Sequence, residues 1–83
     1  MNSNRIETDY QPISCASYDQ YEIAILHGSK LRLTWQVENV IYDQIVTPLN
    51  LRTAQGEEFL ILRLADGATT HVRLDHIRRT QTL

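Results

Sequence analysis

The hydrophobic pattern of this chain changes period at a single glycine. Downstream of Gly28, the apolar residues Leu31, Leu33, Trp35 and Val37 alternate with Lys30, Arg32, Thr34 and Gln36. A period of two sends all four apolar side chains to one face, which predicts a strand. Upstream, within residues 9–28, Tyr18, Tyr21 and Ile25 recur at i, i+3 and i+7 with Ala24 at the margin, the spacing of a docked helix. Ser14 or Ser17 can cap its first turn, and Ser17 with Gln20 has capping-box spacing. Pro12 keeps the approach extended and Gly28 supplies a left-handed stop after His27. Asp19 and Glu22 fall together on the face beside the apolar stripe.

The rest of the pattern is strand-like. After a short turn at Glu38 and Asn39, a β-branched run from Val40 to Val46 predicts a second strand, which must end, bulge or lie at an edge where Pro48 removes a ladder donor. Gln55 and Gly56 turn into a third, Glu57 to Ala65, whose apolar run from Phe59 to Leu62 implies burial on both faces. Asp66 and Gly67 read as a two-residue hairpin turn of the primed type, with positive φ at both positions. A fourth strand follows with Thr70, Val72 and Leu74 on one face, and Ile77 anchors a short fifth. One helix followed by four or five consecutive antiparallel strands is an α+β arrangement. The economical way to bury Leu31, Leu33 and Trp35 against Leu60, Leu62 and Leu64 is a small, strongly bent antiparallel β-barrel capped by the N-terminal helix. Residues 1–9, polar and aperiodic, are expected to form a flexible tail, and residues 10–83 a single domain.

Composition narrows the chemistry. Eighty-three residues build a core too small to enclose a large catalytic cavity, and a net charge of −2 gives no general affinity for a phosphate backbone. The one cysteine, Cys15, excludes an internal disulfide. The first residues lack the apolar stretch of a signal peptide, and no apolar run reaches membrane-spanning length, so a cytoplasmic protein is expected. Cys15 at a helix start could be activated beside a histidine, but no local motif surrounds it and a small, partly buried structural residue is the simpler reading. His71 and His76 with Asp75 fall short of a zinc ligand set. No enzyme, cofactor or metal is expected. Arg63, Arg73, Arg78 and Arg79 could form a basic patch, yet Trp35 and Phe59, the aromatics a nucleic-acid sheet would stack on bases, lie on apolar faces.

Tyr10-Gln11-Pro12-Ile13, then Cys15, Tyr18 and Asp19, the helix behind them, and the closing run from Val72 to Ile77 resemble the Rof (YaeO) family of Rho-specific inhibitors of transcription termination. The resemblance spans nearly all of the chain after its first nine residues. It implies an Sm-like fold and a non-enzymatic antiterminator that occupies the N-terminal OB-fold domain of the Rho hexamer, where single-stranded RNA would otherwise load. It implies no direct contact with nucleic acid and a monomer when free. An RNA-binding cleft offers cations for phosphates and apolar pockets for bases, so a competitor should present carboxylates beside flat side chains. Carried over by position, Tyr18 is an aromatic anchor, Asp19 and Glu22 are charge partners, and Tyr10 and Gln11 are flanking contacts. Ala16 and Ser17 stand where a family member carries two aspartates, and Asp43, Glu57 or Glu58 are expected to compensate. The alternative is an Sm-like RNA-binding module assembled as a ring.

Overall fold

The structure, a computed structural model, describes residues 8–83; most of the expected N-terminal tail lies outside the described residues. One helix, α1 (Cys15–His27), precedes five strands, β1 (Leu31–Val37), β2 (Val40–Ala54), β3 (Glu57–Arg63), β4 (Thr69–Arg73) and β5 (Ile77–Thr82). Ser14, in extended conformation, is the N-cap: its Oγ accepts from the Ser17 N–H at 3.2 Å, while the expected Ser17–Gln20 box does not form. Gly28, at φ 66°, closes the helix in a Schellman pattern, with its N–H donating to Ile25 O at 3.2 Å and Ser29 N–H to Ala24 O at 2.9 Å.

The strands form one antiparallel sheet in the order β4-β3-β2-β1-β5. Its centre is β2, twice the length expected. Pro48 does not end the strand; it is buried, and a register shift between Pro48 and Asn50 lets the chain bend and continue. The first half of β2 pairs with β1 and the second half with β3. Bending, however, does not close the sheet: β4 and β5 remain its two outer strands, so the expected barrel is an open, folded sheet.

Leu31, Leu33, Trp35, Val46, Leu60, Leu62, Val72 and Leu74 make the core, joined from the helix by Tyr21 and Ala24. The helical stripe is therefore centred on Tyr21 and Ala24, with Tyr18 and Ile25 half-buried at its edges. Tyr21 keeps its hydroxyl satisfied by sharing a 3.0 Å hydrogen bond with the Thr80 hydroxyl on β5. The run from Phe59 to Leu62 is not buried on both sides. Leu60 and Leu62 are wholly enclosed, whereas Phe59 and Ile61 face the other way and are half-buried, Phe59 packing edge-on to His71 with ring centroids 5.2 Å apart.

The turn with positive φ at both positions lies at a different hairpin from the one expected. Gln55 and Gly56, at φ 57° and 75°, are the two-residue turn with positive φ at both positions. At the other hairpin only Gly67 has positive φ, 89°. Gly67 N–H donates to Leu64 O at 2.9 Å and Leu64 N–H to Ala68 O at 2.7 Å, a three-residue loop whose left-handed glycine forms the bulge.

Candidate functional site

The outer face of α1 carries side chains that the fold does not use. Asp19 and Glu22 are exposed and, among the described residues, make no ion pair or hydrogen bond. Beside them on the same face stand Ile23, 55 % exposed, and Leu26, 80 % exposed. A helix docked on one side only should be polar here. This one is apolar on both faces, and its outer face alternates carboxylates with large aliphatic groups.

A shallow groove flanks the helix on each side. One, of about 360 Å³, has Asp19 and Ile23 on its wall, with Ala16, His27 and Thr82 opposite or beside them. The other, of about 380 Å³, is lined by Tyr18, Glu22, Ile25, Leu26, Asn50 and Leu51. Asp19 and Glu22 thus share the helix crest but open to different grooves, each beside one exposed aliphatic residue. Tyr18 packs partly on the core and partly into the second groove. Burial, and then the Glu58 and Glu22 carboxylates, push its hydroxyl above the usual phenol range.

Tyr10 and Gln11 have a different employment. The Arg73 guanidinium lies 5.6 Å from the centroid of the Tyr10 ring, and the Tyr10 hydroxyl donates to Glu58 Oε1 at 3.2 Å. Gln11 N–H donates to Asp75 Oδ2 at 3.1 Å, leaving the Gln11 side chain exposed. Arg73 itself, 14 % exposed, binds Asp75 bidentately at 2.9 and 2.6 Å, Asp9 at 2.9 Å and Glu57 at 3.3 Å. This clasp holds the segment before α1 against β3 and β4. Burial opposes ionisation of Asp75, but the Arg73 guanidinium and the Gln11 N–H outweigh it and hold the carboxyl below its ordinary range. Burial, then the Glu58 carboxylate, raise the Tyr10 hydroxyl to about 12.

The carboxylates expected to compensate for Ala16 and Ser17 are all engaged within the chain: Asp43 with Arg32, Glu57 with Arg73 and Thr8, Glu58 with Tyr10. What the sequence reading missed is Ile23 and Leu26. Their signal was present, since two large aliphatic residues at i and i+3 lie opposite the Tyr21 and Ala24 stripe. Cys15, read as partly buried, is exposed.

Residues 12–83 match the family model described as modulator of Rho-dependent transcription termination. The chain belongs to this family, ROF. No curated protein and no solved structure matches it. Membership fits the resemblance carried by the Tyr10 to Asp19 segment and sets the process in which a ROF protein acts, Rho-dependent termination. Within this ROF chain, no helix among the described residues is long and apolar enough to cross a membrane.

Proposed function

We propose that this ROF protein is a cytoplasmic, non-catalytic antiterminator that seats the outer face of α1 on the N-terminal, RNA-capturing domain of Rho and so keeps RNA from loading. The observation that carries the reading is the pairing, on one helix crest, of two unengaged carboxylates with two exposed aliphatic side chains. A cleft built for single-stranded RNA presents cations and apolar base pockets, and this crest offers the complement of both. Tyr18, Asp19, Glu22, Ile23 and Leu26 form the contact; Gln11 flanks it, and Tyr10 positions the segment leading into it. The open bent sheet with its N-terminal helix is, in this reading, an Sm-like scaffold that displays the helix.

Calorimetric titration of the Rho N-terminal domain tests it, with pyrimidine-rich RNA as competitor. The expected result is mutually exclusive binding, weakened by Asp19→Lys and by Leu26→Ser while the fold persists. Unchanged affinity in both folded variants would refute the assignment. The rival, an RNA-binding module, draws on the cleft lined by Arg52, Ala54, Phe59, Ile61 and His71, where a half-buried aromatic meets an exposed guanidinium. Direct binding of the oligonucleotide, abolished by Arg52→Ala with Phe59→Ala, would favour that rival.

A further inference from the structure

Of the eight large hydrophobic residues that stand exposed among the described residues, five sit on the β1–β2 hairpin: Val37, Val40, Ile41, Tyr42 and Ile45. Register places them on both faces. Val37, Val40 and Tyr42 continue the core-facing side of the sheet past Trp35, and Tyr42 stacks on Trp35 with centroids 5.2 Å apart and planes 14° apart. Ile41 and Ile45 lie on the opposite side. Apolar side chains on both faces are the mark of a strand with neighbours all round, yet this hairpin lacks them among the described residues.

The backbone explains what is missing. Val37 pairs with Val40 across the two-residue loop at Glu38 and Asn39, and such a loop closes on a hydrogen-bonded pair. Alternation then directs the N–H and C=O groups of Val40, Tyr42 and Gln44 toward β1, and those of Ile41, Asp43 and Ile45 outward. Pairing with β3 begins only at Thr47, so the edge from Val40 to Val46 has no strand partner among the described residues. Proteins usually blunt such an edge with a charge, a proline or a bulge. Here the proline and the bulge come after it, and its one charged residue, Asp43, is neutralised by Arg32 through bonds of 3.0 and 2.9 Å.

We infer that this edge is a homodimer interface, two copies of β2 pairing antiparallel about a two-fold axis. With Asp43 held by Arg32, two copies of this edge bring no unmatched carboxylate together, and an edge that is apolar on both faces is complemented by a strand of the same kind, which β2 itself supplies. An axis at Tyr42 sets the two tyrosines against each other, extends the Trp35–Tyr42 stack across the dimer and keeps the two Asp43 side chains from facing one another. This departs from the free monomer expected from sequence. It rests on none of the residues of the α1 crest, which the dimer would display twice.

Sedimentation of the full chain from micromolar to millimolar concentration, with amide hydrogen exchange at the same concentrations, tests it. The expected result is a rise to twice the monomer mass, accompanied by about tenfold slower exchange at Ile41 and Asp43. The Ile41→Lys, Ile45→Lys double variant is expected to remain monomeric. In a Cys15→Ser background, Tyr42→Cys is expected to oxidise to a disulfide-linked dimer. A chain that stays monomeric throughout overturns the inference, as does a dimer whose edge amides stay unprotected or one that survives the double variant. A protected dimer that fails to crosslink overturns the Tyr42 register.

Discussion

The molecule uses the same side chain in two opposite ways. Around Arg73, the carboxylates of Asp9, Glu57 and Asp75 converge on one guanidinium, and Glu58 is taken up by Tyr10. On α1, Asp19 and Glu22 stand among exposed aliphatic groups and have no partner among the described residues. The first set is committed to fastening the chain ahead of the helix to the sheet. The second is free, and a carboxylate free of internal partners is one that an outside cation can recruit without first breaking a bond. Acidic residues counted along a sequence therefore do not measure the acidity offered to a partner. Asp43, Glu57 and Glu58 are already committed to partners within the chain.

Removing the clasp should give the largest effect. Arg73→Ala removes the shared partner of three carboxylates, of which Asp75 is the least exposed, and is expected to destabilise the fold by about 2–4 kcal/mol, read as a lower midpoint in thermal or urea unfolding. A loss as small as that of a surface substitution would erase the distinction between the two sets. Next, the double variant Ile23→Ser, Leu26→Ser should weaken Rho binding by about 1–3 kcal/mol in calorimetry while changing stability by no more than about 0.5 kcal/mol. Equal losses in both measurements would mean that the crest belongs to the fold after all.

Charge reversal on the crest comes third. Asp19→Lys with Glu22→Lys should weaken Rho binding most at low salt, and the deficit should shrink as salt screens the interface. A deficit indifferent to salt would place the two carboxylates outside the contact. The pH dependence should report the clasp instead. Asp75 has a depressed folded value, so its contribution is present above the ordinary carboxylate range and fades as pH falls below about 4 through the folded value. Tyr10 is raised, so its contribution holds below the ordinary value of 10.0 and is lost as pH climbs from there toward about 12. The smallest effect should be Tyr10→Phe, which gives up one hydrogen bond worth about 0.5–1.5 kcal/mol and with it the alkaline step, seen by following unfolding across that range.

Much of the architecture was legible because short-range chemistry enforces it. The alternation from Leu31 to Val37 appears in the structure as a strand with its apolar face inward, and the left-handed stop at Gly28 as the end of the helix. The errors fall where local signals allow more than one outcome. Pro48 allowed an end, a bulge or an edge; the structure takes the bulge, and the strand expected to stop at Val46 runs on because β3 waits on its far side. An Asp-Gly pair could close a two-residue or a three-residue loop, and the choice went to the register in which Arg63 meets Thr69. Ile23 and Leu26 are hard to see in the sequence because helical periodicity reports what a helix buries, and an aliphatic residue on the other face leaves the same mark in composition.

By itself the chain determined its element types, their order, the inward faces of β1 and β4, and its resemblance to a family of Rho modulators, since these depend on neighbours a few residues apart. Tertiary structure alone decided which acids remain free, that the bent sheet stays open, and that the first half of β2 is left with a bare edge. Those outcomes turn on partners many positions away, Arg73 for Asp9 and Arg32 for Asp43, which no local period encodes.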